Sequence, residues 1–175
     1  MATPPRIVKI ELTEFKYSLT DVRPEGTINI PIYCKGETLN GRSRIVRIFS
    51  DAGVTGEYVG GSGTEHSAIG MIAGLALGQS AFAREKIYNN AKQALRQHAR
   101  MGMSQIDIAL WDIAGKYYDA PLYELLGGWR MRLPAYASTQ IGDFEQDGLN
   151  SPEAYADFAE QCYDLGFRAY KIHPW

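Results

Sequence analysis

Apolar and polar residues alternate with a period near two in RIVKIELTEFKY at 6–17 and SRIVRIFS at 43–50, and a third alternation, GVTGEYVG, follows a turn at 51–53. Alternation sends successive side chains to opposite faces of a strand, so the pattern predicts three antiparallel strands. Between the first two, residues 18–42 carry Pro24, Gly26, Pro31, Gly36 and Gly41. That punctuation predicts one long loop, of the kind compact domains use as lids or binding loops.

After Gly60, Gly61 and Gly63 the period becomes helical. AIGMIAGLALG at 68–78 is too short to span a membrane and predicts a packed helix. Residues 80–100 set Ala83, Ile87, Ala91, Ala94 and Leu95 on one stripe, with Ser80 as N-cap. The next segment repeats the stripe with Ile106, Ala109, Leu110, Ile113 and Tyr117, and stops ahead of Pro121. A three-stranded sheet followed by a helical bundle predicts an α+β unit over 1–132. From Leu133 the character changes: LPAYASTQ predicts a strand, and SPEAYADFAEQCYDLGFR a helix with Ser151 as N-cap, Pro152 at its first position and Gly166 at its close. FRAYKIH predicts a second strand, parallel to the first and reached by a right-handed connection. Two parallel strands and one helix enclose no core, so 133–175 is expected to be the start of a larger α/β domain.

Charge narrows the partners. With 18 Lys and Arg against 20 Asp and Glu, a formal net charge of −2 carries no field suited to nucleic acid or a membrane surface. The opening MATPPRIVKIELTEF mixes charge into its apolar residues and does not read as a signal peptide, which predicts a cytoplasmic protein. Cys34 and Cys162 are far apart, without a CxxC spacing, and are expected to be structural. His66 and His98 are isolated from other ligand types and are not metal candidates.

Alternation on the terminal strand sets Phe167, Ala169, Lys171 and His173 on one face and Arg168, Tyr170 and Ile172 on the other. Lys171 and His173 are thus a pair aimed the same way. Upstream, IDIALWDIAGKYYDAPLYELLGG at 106–128 keeps a dense set of spacings: Asp107, Ala109, Leu110, Asp112, Gly115, Lys116, Pro121, Leu122, Leu125, Leu126 and Gly127. This run resembles the signature of the mandelate racemase and muconate lactonizing group of the enolase superfamily. The resemblance implies an N-terminal capping domain at 1–132, and at 133–175 the first βαβ unit of a (β/α)7β TIM-like barrel that a longer chain would complete. Within the signature, Asp112 and Lys116 stand four apart on a helix and are expected to form an exposed ion pair.

The resemblance also implies chemistry. Lys171 matches the first lysine of the family's Lys-x-Lys motif, and His173 replaces the second, so both are catalytic candidates at a strand end, where barrel enzymes place such groups. Ser138 is a candidate carboxylate contact. The segment 18–42, with Arg23 and Lys35, and the turn at 58–63, with Tyr58, Gly60 and Gly61, are candidate lid elements that meet the substrate, the glycines acting as hinges. The implied reaction is removal of the proton alpha to a small-molecule carboxylate. Mg²⁺ would stabilise the enolate, through ligands on barrel strands beyond Trp175. Loss of a β-hydroxyl would make the protein an acid-sugar dehydratase; racemisation or epimerisation of a hydroxy acid, and cycloisomerisation, stay open. So do a non-catalytic capping fragment and a homologue that only binds carboxylates. A homo-oligomer is expected from the family.

Overall fold

A computed structural model describes residues 3–24, 26, 30–141 and 148–173. They fall into two compact units, one of residues up to Phe15 with Arg42–Met131, the other of Lys16–Gly41 with the residues from Arg132 onward. The first sheet has strands in the order β1 (Ile7–Pro24), β2 (Pro31–Ser50), β3 (Thr55–Val59). β2 and β3 pair antiparallel from Ile45 with Val59 to Phe49 with Thr55.

The stretch 18–42 is not a loop. It forms the outer arms of the β1–β2 hairpin, β1 running on to Pro24 and β2 starting at Pro31. Cross-strand partners run in opposite directions, as antiparallel pairing requires: Glu14 accepts from Arg42 at 2.7 Å and Arg44 at 2.6 Å, and the Ser18 hydroxyl donates to Asn40 at 2.7 Å. Gly36 (φ 83°) sits across from Asp21 (φ 58°), whose carboxylate accepts the Gly36 N–H at 2.8 Å. The glycine read as a break instead lets a continuing ladder bend.

Four helices follow in the first unit: α1 (Gly63–Ala76), α2 (Arg84–Ala94), α3 (Met103–Tyr118) and the single turn α4 (Leu122–Leu125). Ser80 does not cap α2, because it is held in a bridge with Arg6 while its hydroxyl accepts the Phe82 N–H at 3.1 Å. Ala83 takes the N-cap position without a side-chain bond. The predicted 80–100 helix stops at Ala94, which is exposed, since the Leu95 carbonyl accepts from His98 at 2.9 Å and Arg100 at 3.2 Å and turns the chain. Ile7, Val46 and Ile48 of the sheet close one core with Ile69, Ile87, Leu110 and Ile113 of the helices and Leu95 at the end of α2, each at most 4% exposed. Each such side chain contributes about 1.5–3 kcal/mol on burial.

The helix carrying the signature packs on strand β3, and Asp112 and Lys116 tie it there. Asp112 Oδ2 accepts from Lys116 Nζ at 2.6 Å and from the Glu57 backbone N–H at 2.8 Å, and Lys116 Nζ donates to the Thr55 carbonyl at 2.9 Å. The expected ion pair forms, and it also satisfies backbone groups on an edge strand of the sheet. Close approach is possible because residue 56 is glycine: a Cβ there would collide with the Ala109 carbonyl oxygen.

In the second unit β4 (Ala137–Ile141) and β5 (Tyr170–His173) pair parallel, flanking α5 (Pro152–Asp164) in the chain. Both strands begin later than the alternation predicts; Leu133 and Tyr136 lie outside β4 and are exposed. Ser151 caps α5 by accepting the Ala154 N–H at 3.2 Å, Pro152 opens it, and Gly166 (φ 102°) ends it, with the Phe167 N–H donating to the Cys162 carbonyl. Tyr170 turns toward α5, its ring 6.2 Å from that of Phe158. Both cysteines are free, Cys162 buried and Cys34 half-buried. Among the described residues no helix is long and apolar enough to cross a membrane.

Candidate functional site

β4 and β5 bring three of the predicted residues together. Ser138 is in register with Lys171, and in a parallel ladder registered neighbours share a face, so the two side chains leave the sheet on the same side. Both are exposed, and His173, two residues on from Lys171, is half-buried. Between Ser138 and Ile141 the ladder slips, so that Ile141 rather than residue 140 stands opposite His173. At the slip the His173 backbone N–H donates to a side chain, Thr139 Oγ1, at 3.2 Å. The His173 ring bonds the same residue, Nδ1 lying 2.5 Å from the Thr139 carbonyl oxygen, and the Tyr155 hydroxyl on α5 donates to the His173 carbonyl at 3.2 Å. Such irregularities recur where a strand must re-aim a side chain.

Thr139 and Tyr155 carried no signal in the sequence. Thr139 lies on the strand face opposite Ser138, and Tyr155 is one more aromatic on an amphipathic helix; only the fold joins them to His173. Arg23 and Lys35 lie exposed on the outer hairpin, in the same compact unit as β4 and β5.

Tyr58, Gly60 and Gly61 belong to the first unit and lead into α1. Their segment, expected to act as a hinge, is tied down. The Gly60 N–H donates to the Arg44 carbonyl at 2.8 Å, and Ser62 and Glu65 form a reciprocal capping box. Gln105, 2% exposed, donates to Glu65 at 2.9 Å and leaves no space for a Cβ at Gly61 (φ 87°). The bonds from Ser62 and Gln105 hold the Glu65 carboxyl below its usual range. The Ser-x-x-Glu spacing at 62–65 was readable as a cap, but its anchoring by Gln105 was not. Next to it, His66 Nε2 is buried with no partner among the described residues, and burial, then the Arg44 charge, push the imidazole below its usual value.

A cavity of about 470 Å³ in the first unit is lined by Phe82, Arg84, Lys86, Asp107 and Trp111, with the Arg84 guanidinium 3.4 Å above the Trp111 ring. Burial raises the Asp107 carboxyl above its usual range. Among the described residues no three His, Cys, Asp or Glu side chains form a group fit for a metal ion.

A three-stranded antiparallel sheet, a helical bundle knit to it by the signature helix and a following βαβ unit define an enolase-superfamily capping domain with a second α/β element. Residues 18–127 match the mandelate racemase / muconate lactonizing enzyme N-terminal domain, and the chain belongs to that family. It is 35% identical over 136 residues to D-galactarolactone cycloisomerase of Agrobacterium fabrum, which covers 73% of this chain and 35% of that protein. It is 30% identical over 139 residues to D-xylonate dehydratase of Haloferax volcanii, covering 73% of this chain and 32% of the relative. Among solved structures, D-glucarate dehydratase from Agrobacterium tumefaciens, complexed with magnesium, superposes with a TM-score of 0.83 at 24% identity, over 97% of this chain and 45% of that one. An enolase-superfamily member from Polaromonas sp. JS666 gives 0.73 at 28% identity, over 96% and 44%. The chain thus spans about a third of the length of these curated relatives and under half of these structural neighbours.

Proposed function

We propose that the protein of which these residues form the cap and first βαβ unit removes the proton alpha to the carboxylate of a small-molecule acid. His173 is the proton acceptor, Lys171 the cation that orients the carboxylate and holds the developing negative charge, and Ser138 a further contact to the substrate. The observation that carries this reading is the shared face of Lys171 and Ser138 on two parallel strands, with His173 two residues along β5. A fixed ammonium beside the reacting carbon stabilises charge that develops in the transition state, and a positioned base adds about 10²- to 10⁴-fold. Arg23, in the same unit, is a second cation for an anionic substrate.

We assign the reaction to acid-sugar dehydration, in which the α-proton and a β-hydroxyl are lost. Dehydratases of D-gluconate, D-xylonate and arabinonate stand among the relatives. A cycloisomerase and epimerases stand there too, so the shared step is proton removal and the fate of the intermediate distinguishes the outcomes. Mg²⁺, present in the D-glucarate dehydratase neighbour, is the cofactor we propose for the whole protein; none of the described residues is assigned to it. A cytoplasmic homo-oligomer completes the proposal.

The test is exchange of the substrate α-proton with solvent deuterium by the full-length protein. His173→Asn is expected to slow exchange by about 10²- to 10⁴-fold while substrate still binds. Lys171→Ala is expected to raise KM and lower kcat together. Exchange at the parental rate in the asparagine variant would remove His173 as the base.

A further inference from the structure

A neutral imidazole carries one N–H, and the partner of each nitrogen decides which one holds it. His173 Nδ1 lies 2.5 Å from the Thr139 carbonyl oxygen, a group that can only accept, so Nδ1 carries the hydrogen and Nε2 presents the lone pair. The contact holds only while the end of β5 keeps its place against β4. β5 has four residues, and two bonds pin its last one: His173 N–H to Thr139 Oγ1 from one side and Tyr155 Oη to the His173 carbonyl from the other, each 3.2 Å. The Thr139 hydroxyl bonds the backbone at the place where the register slips, and there the ring lies beside the Thr139 carbonyl.

We propose that Thr139 and Tyr155 are positioning residues that hold His173 in the Nδ1–H tautomer, so that Nε2 is the nitrogen that receives the substrate α-proton. This rests on the reading of His173 as the base. The opposite tautomer would put a hydrogen where the base must accept one. A ring free to exchange tautomers would therefore lose turnover without losing substrate affinity.

The experiment uses the full-length protein with its histidines labelled with nitrogen-15, the His173 signals being assigned by their loss in His173→Gln. In the unsubstituted protein the neutral His173 should show a protonated Nδ1 and a bare Nε2. Tyr155→Phe and Thr139→Val, which remove a hydroxyl with little change of shape, should admit the other tautomer. They should lower kcat by up to about 10²-fold with KM unchanged, the scale of a misplaced reacting group. Thr139→Ser, which keeps the hydroxyl, should restore both readouts. An Nε2–H tautomer in the unsubstituted protein, or unchanged tautomer and kcat in both variants, would overturn the inference. Failure of the base reading is separable: parental exchange in His173→Asn would remove the base, and the nitrogen signals would still judge what Thr139 and Tyr155 do to the ring.

Discussion

Asp112 holds a structural position within the family signature. One carboxylate oxygen takes a backbone N–H of β3 and the ammonium of Lys116, which in turn takes a β3 carbonyl. Asp112→Ala leaves the Glu57 N–H without its acceptor and Lys116 with only the Thr55 carbonyl, and is expected to cost about 1–2 kcal/mol, the low part of the range because the carboxylate is a third exposed. Asp112→Asn, which keeps an accepting oxygen, should cost less; urea unfolding midpoints check both, and equal losses would show that the accepting oxygen is not what holds. His66 yields a pH prediction. Burial and Arg44 disfavour its charged form in the fold, outweighing the opposite pull of Glu14 and Glu65, while the unfolded chain protonates it near the ordinary 6.5. The unfolded state thus binds more protons in that window, so stability is full above 6.5 and falls as pH drops below it. The lowered Glu65 carboxyl acts in a separate window, its contribution being lost only below its ordinary 4.5. Between about pH 7.5 and 5.5 the unfolding midpoint should therefore fall, and His66→Gln should flatten the fall; an unchanged slope would remove His66 as its source.

At the scale of elements, periodicity reported what sheet and helices bury, because burial of one face is what makes a pattern periodic. The α3 stripe, the Ser151–Pro152 start and the Gly166 stop of α5 all follow from local chemistry. The hairpin arms did not, since proline and glycine were read as breaks, whereas Pro24 and Pro31 close the ends of long strands and Gly36 serves a bend within one. Ser80 failed as a cap for a tertiary reason, its bridge to Arg6. Of the candidate site, alternation and the motif brought Lys171 and His173 forward and the resemblance Ser138, while the bulge joining Thr139 to His173 depends on two strands meeting. The contact of α3 with β3 tests the packing argument. Gly56→Ala would drive a methyl into the Ala109 carbonyl and to 2.7 Å from the Ile113 side chain, neither of which can yield without moving the helix. A loss of about 1–3 kcal/mol is expected. Gly53→Ala is the control: its φ of 75° strains an L-residue, but nothing lies within 4 Å of the new methyl, so its loss should be clearly the smaller of the two. If Gly53→Ala destabilises as much as Gly56→Ala, close helix approach is not what the glycine at 56 serves.

At the scale of the whole molecule the two units differ in how their backbones are sheltered. The first has a shared core of sheet and helix side chains, many fully buried, and β3 is sealed by Asp112 and Lys116. In the second, β4 and β5 make a two-stranded parallel sheet, an arrangement that is stable only when both faces are covered, and Leu133, Leu165 and Ile172 stand 48–78% exposed. Amide hydrogens exchange through local opening, which is rarest where apolar contacts are densest. In the 175-residue chain the slowest amides are therefore expected in α3 and in the part of β2 from Arg42 to Ser50, at rates set by unfolding of the whole first unit. Those of β4 and β5 should exchange faster by orders of magnitude, because a few bonds and Cys162, the one buried side chain of α5, resist their opening. Exchange followed by mass spectrometry or NMR reads this directly. Tyr155→Phe should accelerate β5 further and leave α3 untouched, since the bond it removes lies wholly in the second unit. Equal protection of β5 and α3 would show that the parallel pair is stabilised by contacts beyond those described, and Tyr155 would then have no measurable hold on the strand that carries Lys171 and His173.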